Sequence, residues 1–363
     1  MKTLYAISKT GAIITWTIGQ TKYNEIEYIW GQMDGNMQSM TELVEINQSG
    51  RTLQEQVNLR MQSRTNRRYD LGYKDSINEA VSSQGTNACG LLRPMLALKY
   101  DAESCKNVRS KIWQYKYNGH RCLVTRQGDK LISYTRNGKP VQTIQHILDN
   151  IDIPEGTTLD GELYVPGMNL QGISSLARRV QPDNKKLSYI VYDQISNDHF
   201  EDRFNELDTY KLGDGVIIAP TQFDIGISML DNKFIVDNAI NKGYEGFMLR
   251  DANDGGYKPG KRVNSLLKVK TRMDHEFFVV DVHESKEGWG IIECANDINF
   301  KVTSDWRPSF RTPAPGDHDA KRDVLVNKHL YIGNRVRVEY PELTVYGTPF
   351  HPVAMEWVDE ILL

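Results

Sequence analysis

Cysteine is scarce: the chain has 4 in 363 residues, at positions 89, 105, 122 and 294, with no Cys-x-x-Cys pair. That excludes a disulfide framework and a zinc ribbon and fits reduced thiols in a reducing compartment. Long apolar runs are missing too. None approaches the roughly 18 residues of a membrane span, and Met1 to Gly11 lacks the apolar stretch of a secretory signal. A cytoplasmic protein with no membrane partner is therefore expected. Nor is one sign of charge in excess, since 44 Lys and Arg face 47 Asp and Glu for a net −3. This excludes a uniformly basic coat for nucleic acid, so any polyanion must be met by local patches. What is present is ordinary globular composition, 39% hydrophobic and 25% charged, in a chain long enough for two or three domains.

The text changes character along its length. From Leu4 to Val44 short alternating runs (LYAIS, AIITWTI, EIEYIW, MTELVEI) are separated by turn signals at Gly11, Gly19 and Asp34-Gly35, which predicts a small sheet. Leu53, Val57 and Met61 then fall at steps of four after Thr52, a candidate N-cap, so a helix is expected to about Tyr69. Arg60, Arg64, Arg67 and Arg68 extend the same stripe, either offering cations to phosphate or forming a solvated end. Residues 76–90 are polar and small without a period, which is linker chemistry. Strands such as KLISYT and YIVYD alternate with helical patterns such as VQTIQHILDN over residues 91–272, an α+β segment. Strand-like runs dominate residues 273–363 (EFFVVDV, GIIECA, INFKVTS, RVRVEY), broken by a proline-rich loop, RPSFRTPAPGDHD. That tail is expected to be a small all-β domain.

Within QYKYNGHRCL, alternation puts Ile112, Gln114 and Lys116 on one strand face and Trp113, Tyr115 and Tyr117 on the other. The aromatics suit a core, which leaves the lysine facing solvent or a cleft. Asn118 and Gly119 supply a tight turn to the next strand, and Gly128-Asp129 marks a further hairpin. No other lysine in the chain has glycine three residues on. Further along, TLDGELYVPG places Glu162 on a strand, YIVYD places Tyr192 and Asp193, YEGFMLR carries Glu245, and LLKVK puts Lys268 and Lys270 on one strand face. Taken singly, each is an ordinary surface charge or core aromatic.

Taken in order, these motifs resemble those of ATP-dependent DNA ligases, members of the covalent nucleotidyltransferase superfamily and kin of RNA ligases and mRNA-capping enzymes. The resemblance runs from Arg93 to Pro352 and includes RPMLA, KYNGHR, the TRNGKP run around Arg136, LDGELYVPG, VYD, EGFMLR, LLKVK and VEYPELTVYGTPFHP. It is closest to the small bacteriophage and bacterial ligases. It implies a central adenylation domain over residues 91–272 and a C-terminal OB-fold β-barrel over residues 273–363. The run YIWGQMDGNMQ, with the arginine-bearing helix after it, resembles a WGR domain. Residues 1–75 are then a WGR-like module, in which Gln32 stands for the arginine of the name.

The resemblance implies a chemistry. Lys116 would attack the α-phosphate of ATP, carry AMP as a phosphoramidate, pass it to the 5′-phosphate of a nick in duplex DNA and let the 3′-hydroxyl displace it. A lysine at its ordinary pKa of about 10.4 is almost wholly protonated near neutrality, so neighbouring cations are needed to free the amine. Arg121, Lys268, Lys270 and a divalent metal match family positions that would do so while neutralising the phosphoryl group. Glu162 would bind ribose or metal, Glu245 metal, Tyr192 would stack on adenine, and Arg136 would grip a phosphate. Oxygen ligands and phosphate suit Mg2+ or Mn2+. The implied partner is nicked duplex DNA, met by a monomer.

Three departures stand out. Asn118 occupies a usual aspartate position, and Gln114 replaces a common glutamate, keeping an acceptor for the adenine amino group while adding a donor. The C-terminal GTPFHPVAMEWVDEILL has no Lys or Arg, leaving His351 and Arg337 as weak candidates for orienting pyrophosphate. RNA ligation or guanylyl transfer is the alternative reading, with a decayed nucleic-acid-binding protein behind it. NAD+-dependent ligation is disfavoured by the missing cysteine cluster.

Overall fold

The computed structural model describes residues 1–358 apart from positions 9, 48, 88, 107, 224–232, 271–272, 286, 299–308 and 345. The chain divides into two compact units, Met1–Val269 and Lys270–Leu363.

The first unit begins with an antiparallel four-stranded meander of Lys2–Ile7, Ile13–Lys22, Glu25–Gln32 and Met37–Leu43. Alternation buries Leu4, Trp16, Ile18, Ile26 and Tyr28 on one face, where Val57 of helix Leu53–Asp70 closes the core. Thr52 caps that helix as expected. Its hydroxyl accepts from Glu55 N at 3.3 Å, and the Glu55 carboxylate accepts from Thr52 N at 2.8 Å, a full capping box. The basic stripe on the helix has other work. Arg60 and Arg64 pair with Glu42 at 3.4 and 3.2 Å, and Arg68 lies over the rings of Trp16 and Tyr73 at 4.9 and 5.4 Å. These three arginines bind the helix to its own sheet.

The expected linker is folded. Ser76 caps a short helix, Ile77–Ser82, by accepting from Glu79 N at 3.2 Å, and the Asn87 side-chain Oδ1 accepts from Cys89 N and Leu91 N at 2.9 and 3.1 Å. Serine and asparagine, read from composition as flexible, here supply caps and turns. Arg93 then reaches back to the end of the long helix, where Nη2 and Nη1 donate to the carbonyls of Asp70 and Leu71 at 3.0 and 3.3 Å. A cation on the last carbonyls also suits the helix dipole. Gly72, at φ 96°, makes room for it, since a Cβ there would lie 2.9 Å from Arg93 Nη2.

The remainder of this unit is built on two five-stranded sheets. One runs Thr221–Phe223, Lys111–Lys116, Gly246–Asp251, Arg262–Val269, Leu96–Lys99; the other runs Val216–Ile218, Ser188–Gln194, Thr158–Tyr164, His120–Gln127, Lys130–Thr135. The Asn118-Gly119 turn, read as a step to the next strand, is a passage between sheets, because Lys111–Lys116 pairs with Gly246–Asp251 while His120–Gln127 pairs with Thr158–Tyr164. Gly119 is needed for that passage. A Cβ there would collide with the Leu163 carbonyl oxygen and lie 2.7 Å from Glu162 Cγ. The hairpin at Gly128-Asp129 forms as expected.

The second unit is an antiparallel sheet in the order Ser309–Pro313, Gly290–Ala295, Met273–Glu284, Arg335–Tyr340, Val353–Trp357. Its two edge strands approach where Thr312 Oγ1 donates to the Pro352 carbonyl at 3.0 Å, but among the described residues no strand ladder closes a barrel. The expected proline-rich loop contributes instead the strand Ser309–Pro313 and the helix His318–Val326, capped by Asp317, which accepts from Ala320 N at 2.9 Å. The tail is thus not all-β. Most of INFKVTS lies outside the described residues. No helix among the described residues is long and apolar enough to cross a membrane.

Replacing Arg93 with alanine is expected to cost about 1.5–3 kcal/mol in urea unfolding and to speed protease cleavage near Asp70. Unchanged cleavage would show that the N-terminal module is held by other contacts.

Candidate active site

The face that carries Lys116 looks into a cleft of about 300 Å³ between the two sheets. Pairing extends that face across the first sheet, with Gly246 opposite Lys116, Met248 opposite Gln114, and Lys268 opposite Met248. The other face behaves as alternation predicts. Trp113 and Tyr115 pack with Phe247, Leu249 and Leu267, and Tyr115 stacks on Tyr244 with ring centroids 4.0 Å apart.

The second sheet supplies the opposite wall. Arg121 and Glu162 are direct cross-strand neighbours, and a β-bulge follows, since Asp160 pairs with Asp193 but Gly161 pairs with Val191. The skipped residue is Tyr192. A bulge re-aims one side chain, and Tyr192 both lines the cleft and approaches Glu162, its hydroxyl 3.4 Å from Oε2.

The charges inside are paired. Lys116 Nζ donates to Glu245 Oε2. Arg121 grips buried Asp160 through two bonds, 2.9 Å from Nε and 2.5 Å from Nη2, while Tyr257 donates its hydroxyl to the same carboxylate at 2.6 Å. Its charge is thus largely compensated by Asp160. Arg136 stands at the exposed rim, and burial together with Arg121 and Arg262 lowers its guanidinium from the ordinary value. The Glu162 carboxyl is pushed up to about 7, first by burial and also by Asp160 and Glu245, with Lys116 and Arg121 opposing.

A family model for the ATP-dependent DNA ligase domain matches residues 94–270, the stretch that forms both walls. Over this segment the chain is similar to that family. Proteins similar to the chain include a DNA ligase of African swine fever virus, 28% identical over 286 residues that cover 70% of this chain and 65% of the viral protein. DNA ligase C1 of Mycolicibacterium smegmatis is 28% identical over 210 residues, covering 50% of this chain and 58% of its own. The chain thus spans about 65% of the length of the viral ligases. In fold, it is similar to a solved Lig E DNA ligase at TM-score 0.57 and 18% identity, covering 73% of this chain and 98% of that one. A second structure, Pmar-Lig_PreS3, gives TM-score 0.60 and 19% identity, covering 73% and 67%.

The cleft brings together most of the residues singled out by sequence. Gln114, Lys116, Arg121, Arg136, Glu162, Tyr192 and Lys268 all line the cleft, and Glu245 reaches it through Lys116. Lys270 does not share the strand face of Lys268 as expected, because that strand ends at Val269 and Lys270 begins the second unit. Arg337, in the second unit, is engaged by Glu356 and Glu339 at 2.9 and 3.5 Å. Sequence reading missed Met248, Arg250 and Arg262, which also line the cleft. The first two were available from alternation in EGFMLR, which places them two residues apart on one face; Arg262 had no such signal.

Glu162 yields a pH prediction. Its folded value of about 7 lies above the ordinary 4.5, so the native state holds this proton more tightly, and stability falls as pH rises through that window. Without divalent metal, Glu162→Gln is expected to flatten the decline in urea midpoint between pH 5 and 7.5. Parallel slopes in the two proteins would contradict the assignment.

Proposed function

We propose that the chain is an ATP-dependent DNA ligase that seals nicks in duplex DNA through a lysyl-AMP intermediate. The observation that carries the reading is Lys116 on the floor of a cleft built by the ligase domain, with two carboxylates and several cations around it. In this reading the Lys116 amine attacks the α-phosphorus of ATP, a P–N bond forms and pyrophosphate leaves. The AMP passes to the 5′-phosphate of the nick with cleavage of that P–N bond. The 3′-hydroxyl then attacks this phosphate and releases AMP.

Before attack, Glu245 holds the ammonium at its Oε2, so freeing the amine requires breaking this pair. Tyr192 offers its ring to adenine, while Arg136 and Lys268 bind phosphate oxygens. Glu162 and Glu245 are the carboxylates that would hold a divalent metal; no cluster of three His, Cys, Asp or Glu side chains occurs among the described residues, so phosphate oxygens and water would complete its shell. Two carboxylates with phosphate oxygens and water suit Mg2+ or Mn2+ better than zinc. When bound, such an ion neutralises charge on the transferring phosphoryl group.

The second unit is read as an OB-fold, supported by the approach of its edge strands at Thr312 and Pro352. The N-terminal sheet and capped helix are read as a WGR-like module, supported by the run YIWGQ on the strand Glu25–Gln32.

Labelled ATP with Mg2+ is expected to leave covalent label on the wild-type protein and none on Lys116→Ala, and nicked DNA duplex is expected to discharge that label with sealing. Label from GTP in place of ATP, or discharge only by nicked RNA, would overturn the reading in favour of guanylyl transfer or RNA ligation.

A further inference from the structure

Gln114 is 2% exposed, yet its side chain lies on the cleft face two residues before Lys116. Its polar ends meet protein. Nε2 donates to the Tyr192 carbonyl at 3.1 Å, the backbone oxygen of the bulge residue, and Oε1 accepts from Arg250 Nε at 2.7 Å. Behind it Arg250 Nη1 donates to Asp193 at 2.7 Å, and Arg203 grips Asp193 at 2.9 and 3.2 Å and Asp254 at 3.0 and 2.9 Å. These four charged side chains are at most 4% exposed. Two arginines against two aspartates leave the network neutral only because residue 114 is an amide.

A glutamate here would add an uncompensated buried charge and set an oxygen against the Tyr192 carbonyl, two acceptors with no proton between them. A leucine would leave Arg250 Nε and that carbonyl without partners. The amide alone of these satisfies both neighbours. Because the carbonyl it holds belongs to the residue skipped by the bulge, Gln114 fixes the backbone from which the Tyr192 ring enters the cleft.

We infer that Gln114 is a positioning residue, acting through Tyr192 and Arg250 rather than by reading the purine. The inference rests on the proposed adenylylation but makes a different demand. A base reader changes preference between purines that differ at the 6-position, whereas a positioning residue weakens all of them alike.

The test measures KM and the limiting rate of covalent labelling with ATP and with ITP, whose 6-substituent is oxo, in wild type, Gln114→Glu, Gln114→Leu, Tyr192→Leu and the Gln114→Leu/Tyr192→Leu double variant. Both Gln114 variants are expected to raise KM for the two nucleotides together by about tenfold, with the limiting rate changing less and the ATP:ITP preference unaltered. In the Tyr192→Leu background the Gln114→Leu effect is expected to shrink to about twofold or less, since its target is gone. A several-fold shift of ATP:ITP preference in Gln114→Glu, or an undiminished effect in the double variant, would overturn the inference. Gln114→Met replaces any variant that does not unfold cooperatively, under the same criteria. Should wild type take no label, the ligase reading falls, and calorimetric Kd values for ATP and ITP decide the positioning role by the same ratio.

Discussion

Asp193 is a carboxylate of zero exposure at the end of the strand Ser188–Gln194, and it is shared by arginines from two directions. Arg203, from the helix Phe200–Glu206, links it to Asp254, while Arg250 comes from the strand Gly246–Asp251 of the other sheet. Buried ion pairs contribute little net stability against an apolar equivalent, because desolvation offsets most of their attraction; removing one partner is what costs, at about 3–5 kcal/mol. The value of this arrangement lies in geometry. Two sheets packed through apolar side chains alone could slide by small amounts at small cost, but a carboxylate accepting three guanidinium bonds, with the Gln194 backbone N–H as a fourth donor, has few alternative placements. With the Gln114 bond to the Tyr192 carbonyl and the Tyr257 bond to Asp160, this anchor ties the two walls of the cleft together.

The parts of the fold legible in the sequence are those set by neighbours in the chain. Alternation placed Gln114 and Lys116 opposite Trp113 and Tyr115, KLISYT and YIVYD are strands, and Thr52 caps its helix, because each depends on a period or a capping pattern a few residues long. The errors share a different cause. Residues 76–90 read as linker because Ser, Asn and Gly mark both flexible chain and well-made turns, and only the partners of Ser76 and Asn87 distinguish the two. Arg60, Arg64 and Arg68 form a basic stripe in sequence, but Glu42 and Trp16, far along the chain, decide what the stripe does. Arg203 gave no signal at all, since FEDRFNE reads as a solvated run of mixed charge until Asp193 and Asp254 are brought to it.

The same limit applies to Gln114. As a departure from a family pattern it could only be weighed by what an amide offers a base, an acceptor and a donor. Its actual partners are a bulge carbonyl and an arginine 136 positions away in sequence, neither visible in a one-dimensional pattern. The bulge itself leaves no mark either, because YIVYDQ carries no apolar alternation in which one skipped residue would register.

Charge inside the cleft follows one scheme. Lys116 with Glu245, Arg121 with Asp160, and Arg250 with Asp193 each set a cation against a carboxylate, so the deeper part of the site is compensated within the protein. The rim differs: among the described residues no carboxylate offsets Arg136 there, and partial burial first, then Arg121 and Arg262, lower its proton affinity. Positive charge is therefore gathered where an incoming polyphosphate would relieve repulsion, while the chain as a whole remains slightly acidic. In the proposed reaction a nucleotide would be drawn by the rim and would meet, further in, pairs that exchange partners to admit it. Among those pairs, the Lys116–Glu245 contact is the one whose opening would, in the proposed adenylylation, expose the nucleophile and so couple release of the amine to arrival of the ligand.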